Sequence, residues 1–302
     1  VPVQHVRDRA DGAWLFDHVD RRWVKVRNRP IRTGELVLLD AAAGGYDEIE
    51  GWNPGLRDSV PVWRPDDAAE PEAIESDEET FVGEWQTLPL HLDETSRAAR
   101  EIADSLALDQ EDGAAIIAAA SLHDVGKSHP MFQRMLLATL EEAERTQYAA
   151  EVWAKSASWN RGRHVRRFFR HELASALAVR GLTDDLVSRL KRRDLVVYLI
   201  GAHHGRVRLS IRPAPEEQPP KDVPGATRFA LGIAEGDRLP AVPTPLGELP
   251  SSERTLACME VGGEERSWTD IACSLRDDPA LGPFRLGYLE ALVRVADWRA
   301  SG

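Results

Sequence analysis

The stretch Leu122–Ser128 places an imidazole directly beside a carboxylate, at His123 and Asp124, where an apolar run ends. The Ala- and Ile-rich residues before it repeat at helical spacing, and His123 continues their core-facing stripe. A buried, ionised carboxylate there would be costly unless a cation or hydrogen bonds compensated it. The pair therefore predicts the centre of a metal site, with Gly126 marking the end of the helix.

Further polar groups that can bind metal occupy comparable positions at the ends of apolar helical patterns. His203 follows Leu199 and Ile200 by four and three residues, which sets its imidazole at the inner end of a buried stripe. Histidines without a shared role would be expected to scatter over the surface. The recurrence therefore favours one ligand cluster. The candidate metal ligands are His91, His123, Asp124, His171, His203, His204 and Asp297.

The elements that position these ligands are predicted to be helices, so the fold class is mainly α. Apolar residues at spacings of three and four predict six helices. The first opens at His91 with Asp93 or Thr95 as N-cap, and another aligns His171 with Phe168. The other four are Asp112–Lys127, Met131–Lys155, Asp194–Gly205 and Gly282–Ala300.

A smaller β-containing N-terminal region precedes the helices. Trp14–Phe16 and Trp23–Val26 predict a hairpin, and Glu35–Leu39 predicts a third strand. A run of acids at 66–79 predicts a solvated linker. Nine prolines later in the chain predict a long loop or small insertion with little regular structure. The predicted domains are residues 1–82 and 83–302, with the Pro-rich insertion at about 213–255.

Composition limits the classes of protein to consider. A formal net charge of −12 argues against a chain that binds nucleic acid through its overall charge. The sequence shows neither a membrane span nor a signal peptide, and its two cysteines suit a reducing compartment, so we expect a cytoplasmic protein. The first residue, Val1, is consistent with an excised portion of a longer polypeptide.

Positive charge is concentrated beside the candidate ligands. Residues 161–212 carry 13 Lys and Arg against 4 acids. A basic edge next to metal ions suits a polyanion such as a single nucleic-acid strand. The alternative is a solvated helix face paired with the acidic stretch. The candidate nucleic-acid-binding residues are Arg163, Arg166, Arg167 and Arg206.

The order of the ligands resembles the HD superfamily of metal-dependent phosphohydrolases, whose minimal signature is His, His-Asp and a late Asp. The fuller pattern here, with Lys127, Phe132–Gln133, His171 and the doubled His203–His204, is similar to the HD nuclease of the CRISPR type I interference helicase-nuclease. The turn Gly44–Asp47 resembles the segment before the nuclease in subtypes that carry it at the C-terminal end of the helicase. The Pro-rich insertion departs from the pattern.

The resemblance implies an HD-type helical bundle that hydrolyses single-stranded DNA in antiviral interference. Two divalent transition-metal ions are implied, and imidazole-rich ligands favour iron(II) or manganese, with cobalt and nickel as further candidates. One carboxylate, Asp124, can offer an oxygen to each ion, and Lys127 is expected to meet the scissile phosphate. The ligands implied are His91, His123 and Asp297 for one ion and His171, His203 and His204 for the other.

The implied partners are single-stranded DNA, a helicase portion of the same or an associated polypeptide, and an RNA-guided surveillance complex. Two alternatives stay open. An HD phosphohydrolase acting on nucleotides or cyclic nucleotides would share the metal ligands without needing the arginines. A non-catalytic docking module of a larger helicase would keep the fold but tolerate loss of ligands, whereas every ligand position is filled here.

Overall fold

The chain forms two compact units, Val1–Pro71 and Glu72–Gly302. The structure is a computed structural model. It describes residues 3–17, 22–26, 31, 37–47, 51–60, 84–138, 140–157, 166, 168–182, 186, 190–214, 217–223 and 225–301. The predicted domain boundary at 82/83 and the acidic run at 66–79 lie outside these residues, so both stay predictions. None of the described helices combines the length and apolarity that a bilayer crossing requires.

The first unit contains a small antiparallel sheet, as the sequence predicts. Its three strands lie in the order β2-β1-β3, and alternate side chains of β1, Ala13 and Leu15, are buried. Arg9 lies beneath the Trp52 ring and donates to the carbonyls of Ala43, Pro54 and Leu56. The elements are α1 (Val3–Arg7), a 3₁₀ turn (Ala10–Gly12), β1 (Ala13–Asp17), β2 (Arg22–Lys25), β3 (Val37–Leu39), a 3₁₀ turn (Ala41–Ala43), β4 (Tyr46–Asp47) and β5 (Gly51–Trp52).

The second unit is a helical bundle, which confirms the mainly α prediction. A 3₁₀ turn, Val125–Ser128, follows its second helix. A two-stranded pair, β6 (Gln86–Thr87) and β7 (Trp153–Lys155), lies beside that turn. The helices are α2 (Leu88–Ser105), α3 (Gln110–Leu122), α4 (Pro130–Leu137), α5 (Glu142–Tyr148), α6 (His171–Arg180), α7 (Arg193–Ala202), α8 (Trp268–Asp277) and α9 (Gly282–Ser301).

Helix α3 is central to the bundle, because α2, α7 and α9 all pack against it. Its Ala-rich sequence lets these neighbours approach closely, and most of its side chains are buried. At its N-terminal end, Asp109 caps the helix, and the buried Asp112 pairs with Arg192 and Arg285. These ion pairs hold the bundle together at the end of α3 remote from His123.

Two predicted helices differ from the structure. The single helix expected over Met131–Lys155 is wrong, because a capping box at Glu141 starts a new helix, α5, and residues 153–155 form β7. Helix α2 starts before His91, with Pro89 in its first turn and Thr87 as N-cap. Thr95, predicted as a cap, instead donates its hydroxyl to the His91 carbonyl inside the helix.

The Pro-rich insertion has more regular structure than predicted. Its strands form the antiparallel pairs β8–β9, β10–β13 and β11–β12, and Leu239, Val242 and Leu249 are buried in the core of the bundle. Proline and glycine limit each strand to two or three residues. The strands are β8 (Phe229–Ala230), β9 (Ile233–Ala234), β10 (Arg238–Leu239), β11 (Val242–Thr244), β12 (Gly247–Leu249) and β13 (Ser252–Glu253).

Candidate metal centre

The first and last helices of the bundle each contribute one ligand-type side chain. His91 lies in the first turn of α2, and Asp297 follows the buried Val293 and Ala296 near the end of α9. Helices α2 and α9 pack against each other, which brings His91 Nε2 to 3.1 Å from Asp297 Oδ1. Both side chains are buried.

The His-Asp pair lies where α3 ends. His123 Nδ1 donates to the Ala120 carbonyl at 2.8 Å, so Nε2 is the nitrogen that faces the other ligands. That nitrogen lies 3.4 Å from Asp124 Oδ2 and 3.5 Å from Asp297 Oδ1. Asp124 Oδ2 is also 3.1 Å from His91 Nε2. One group therefore contains His91, His123, Asp124 and Asp297.

Gly126 has a different role from the helix end that was predicted. Helix α3 ends at Leu122, and Gly126 lies in the following 3₁₀ turn. A Cβ added there would lie 2.1 Å from the His171 carbonyl oxygen and 2.7 Å from Ser175 N. Gly126 N donates to Ser175 Oγ at 2.8 Å. Only glycine lets this turn contact the backbone of α6.

The second group consists of three histidines from α6 and the end of α7. His171 is the first residue of α6, and its Nε2 lies 3.1 Å from Asp124 Oδ1 and 3.2 Å from His204 Nε2. His203 Nδ1 donates to the Ile200 carbonyl at 2.7 Å, which leaves Nε2 facing the group, as in His123. Gly205, at φ 74°, follows the pair. Asp124 thus has one oxygen beside each group.

The arrangement fits metal ions better than a closed hydrogen-bonded core. In each group the ligand atoms lie within 4.8 Å of one another. Among the described residues, several of these buried atoms have no hydrogen-bond partner, which is costly in a protein interior. Bound cations would compensate them. The atoms are His91 Nε2, His123 Nε2 and His203 Nε2.

Electrostatics keep the carboxylates of the first group ionised. Burial would raise the pKa of Asp124, but His123, Lys127 and His171 hold it well below its usual range. Burial would likewise raise the pKa of Asp297, and the neighbouring His123 and His91 lower it strongly. Both side chains are therefore in the form that binds metal.

The pKa values of the histidines shift in opposite directions. Burial would lower the pKa of His171, yet Asp124 outweighs it and raises the pKa. Burial would also lower the pKa of His123, but Asp124 and Asp297 outweigh it and raise the pKa. For His203, burial and then the charges of His204 and His123 lower the pKa well below its usual value. His203 is thus held as a neutral imidazole, the form that coordinates metals.

Lys127 lies inside the site. Its ammonium is buried, 2.8 Å from Asp124 Oδ2 and 5.8 Å from the centroid of the Phe132 ring. Gln133 fixes the backbone there, since its Nε2 donates to the carbonyls of Lys127 and Trp153. In the structure the Lys127 ammonium pairs with the Asp124 carboxylate. A contact between Lys127 and the scissile phosphate stays a prediction.

The structure describes two of the four predicted nucleic-acid-binding arginines, Arg166 and Arg206, and they have different environments. Arg166 needs correction, because its buried guanidinium pairs with Asp222 and Asp237 and is not presented to solvent. Arg206 is exposed, shortly after His204. Arg163 and Arg167 lie outside the described residues and stay predictions. The helix expected to carry Phe168 in line with His171 is also wrong there, since Phe168 has φ 67° and α6 begins at His171.

Sequence reasoning missed three buried polar residues near the ligands. His129 lies 3.5 Å from Asp237, a carboxylate supplied by the insertion. Glu172 is fully buried with Oε2 3.8 Å from His171 Nδ1. The directly adjacent His171 could have drawn attention to Glu172. No sequence signal links His129 to Asp237, because they are far apart in the chain.

Comparison with known proteins identifies one family. Residues 76–302, most of the chain, match the family model described as Cas3, HD domain. The match includes both ligand groups and the insertion. No curated protein and no solved structure matches the chain.

Proposed function

Because the chain belongs to the Cas3 HD-domain family, a family of metal-dependent nucleases of CRISPR systems, we propose that it hydrolyses single-stranded DNA with two divalent metal ions. The observation that carries the proposal is Asp124, whose two oxygens lie beside different groups of imidazoles. A carboxylate in that position can hold two ions at the spacing used for in-line phosphodiester hydrolysis.

Each group would hold one ion with the residues that it contains. His91, His123 and Asp297 would bind the first, and the three histidines of the second group would bind the other. When bound, two such ions supply a nucleophilic water at neutral pH and stabilise charge on the phosphate oxygens. The backbone carbonyls of Ala120 and Ile200 fix His123 and His203 in the tautomer that presents Nε2.

The donor types indicate which ions the site would take. Five imidazoles and two carboxylates form a softer set than the all-oxygen shell that magnesium prefers. We propose iron(II) or manganese as the working metal, with cobalt and nickel as substitutes. Lys127 would hold the Asp124 carboxylate in place and balance its charge whenever an ion is absent.

The substrate and partners are proposed on more general grounds. The family places the chain in a CRISPR context with a nucleic-acid substrate. A single strand is proposed because the ligands are buried, and base pairing would keep a duplex backbone from reaching them. A helicase, in the same or an associated polypeptide, and an RNA-guided surveillance complex would supply that strand.

The test replaces one proposed metal ligand at a time by alanine. His123→Ala and Asp124→Ala should each abolish cleavage of single-stranded DNA and reduce bound metal from two ions, measured by metal analysis after anaerobic dialysis. His5→Ala is the control, because His5 belongs to the first unit and stacks on Trp52. A ligand variant with normal manganese-dependent cleavage would refute the two-metal proposal. Wild-type hydrolysis of cyclic nucleotides without DNA cleavage would favour the nucleotide phosphohydrolase.

A further inference from the structure

The Pro-rich insertion contacts the backbone that leads into His171. Arg170, the residue before α6, donates its N–H to the Leu231 carbonyl at 2.9 Å. Gly232 has φ 73°, and a Cβ added to it would lie 2.4 Å from Phe169 Cα. Backbone of the insertion therefore lies directly against residues 169–170. The entry to α6 is set by this contact as well as by the helix itself.

A buried carboxylate holds the contacting loop of the insertion. Asp237 Oδ2 accepts from Ala234 N at 2.8 Å, which closes the turn Ala234–Asp237 directly after β9 and two residues from Gly232. The carboxylate of Glu217 supports the other side, since it accepts from Leu231 N at 3.0 Å and Gly232 N at 2.7 Å. The loop is thus fixed by side chains from two parts of the insertion.

The same Asp237 side chain reaches two segments of the metal centre. Its Oδ1 accepts from Arg166 Nη2 at 2.8 Å, and its Oδ2 pairs with Arg166 Nη1. Arg166 lies shortly before His171 and also donates to the Gly232 carbonyl at 3.2 Å. On the other side, Asp237 Oδ2 lies 3.5 Å from His129 Nε2.

His129 connects this carboxylate to the turn that carries Asp124. The His129 Nδ1 accepts from Met131 N at 3.2 Å, so its Nε2 carries the proton and faces Asp237. His129 directly follows the 3₁₀ turn Val125–Ser128, and its N–H donates to the Gly126 carbonyl at 3.1 Å. Asp237 therefore links the segment after Asp124 with the segment before His171.

We infer that Asp237 is a positioning residue that, through Arg166 and His129, sets the spacing between Asp124 and the second group of ligands. The inference rests on the proposed two-metal function and extends it to a part of the chain outside the ligand pattern. Asp124 Oδ1 and His171 Nε2 lie 3.1 Å apart, and an ion held between them requires that spacing within a fraction of an ångström. Loss of the link should release the second ion and leave the first.

The test compares two buried carboxylates that both pair with arginine. Asp237→Asn removes the charge at the link, and Asp112→Asn makes the same change at the far end of α3, where Asp112 pairs with Arg192 and Arg285. Cobalt(II) binding to the whole chain is titrated by equilibrium dialysis, and thermal unfolding is recorded for each variant. Removing a residue that supports a metal ligand typically weakens metal affinity by about 10–100-fold.

We expect Asp237→Asn to bind the second ion at least about tenfold more weakly with the first unchanged, while Asp112→Asn keeps both. Adding His171→Ala to Asp237→Asn should then cost no further ion. Should Asp237→Asn fail to fold, Arg166→Lys carries the same expectation, because lysine cannot bridge both carboxylates.

Distinct results separate this inference from the proposed function. Two ions of unchanged affinity in Asp237→Asn, or an equal loss in Asp112→Asn, would overturn the inference and leave the proposed function standing. A wild-type chain that binds fewer than two ions would overturn the proposed function and the inference together.

Discussion

The substitution Gly126→Ala should separate the turn that carries Asp124 from the start of α6. The added Cβ would lie 2.1 Å from the His171 carbonyl oxygen, and ordinary contact begins near 3.4 Å. The turn must therefore move by at least about 1.3 Å, the difference between these distances. The two nearest obstructing atoms belong to the backbone and the third is the Cβ of Ala174, so no side-chain rotation relieves the contact.

This displacement should affect metal binding more than stability. Overpacking of this kind costs about 1–3 kcal/mol of unfolding free energy. The same movement changes the 3.1 Å spacing between Asp124 Oδ1 and His171 Nε2 by a large fraction. We therefore expect a folded variant that binds no second ion and does not cleave DNA. Urea unfolding and metal analysis after dialysis measure the two effects.

A second glycine provides the matched control. Gly113 lies within α3, and a Cβ there would meet Ala103 Cβ at 3.6 Å, an ordinary contact. Gly113→Ala should keep both ions and stabilise the chain by roughly 0.5–1 kcal/mol, since alanine is the better helix former. The reasoning is refuted if Gly126→Ala retains wild-type metal content and cleavage.

Three other perturbations test separate parts of the proposal. At equal concentration, manganese, cobalt, nickel or iron(II) should support hydrolysis of a small phosphodiester far better than magnesium, and full activity with magnesium alone would contradict the ligand set. Arg206→Glu should weaken single-strand binding, and the slope of log affinity against log salt should fall by about 0.7 for each phosphate that the variant no longer neutralises. Fluorescence anisotropy measures both effects. The control is Arg276→Glu, a substitution of another exposed arginine, which should leave the slope unchanged. Burial would raise the pKa of Asp237, but hydrogen bonds from His129 and Arg166 lower it to about 2. The ionised carboxylate therefore stabilises the folded chain by about 2 kcal/mol, an effect that is complete above the unfolded pKa of 3.8 and is lost as the pH falls through about 2. The urea midpoints of wild type and Asp237→Asn should converge over that pH window.

Helix periodicity placed several candidate ligands, but not His171, at the ends of helices. Apolar spacing predicted α9 almost to its last residue, and it indicated that Asp297 and His203 follow buried stripes. The signal is local, because one face of one helix carries it. It could not show that α2 and α9 pack together, which is what joins His91 to Asp297.

Two of the errors depend on residues distant in the chain. Helical periodicity over Met131–Lys155 gave no weight to the pairing of β7 with β6. Positive charge before His171 suggested a surface for DNA, whereas Arg166 is neutralised by Asp222 and Asp237. A carboxylate that lies far along the chain is invisible to local charge counting.

The order in which the ligands occur along the chain affects when the protein could first bind metal. Of the candidate ligands in the first group, His91 comes first in the chain and Asp297 last, so the ribosome synthesises them in that order. A nascent chain that stops before α9 can contain at most the imidazoles of His171, His203 and His204 as a complete group. Domains fold as their sequence emerges. The proposed first metal site, and with it the proposed two-metal hydrolysis, would therefore form only after translation has passed residue 297.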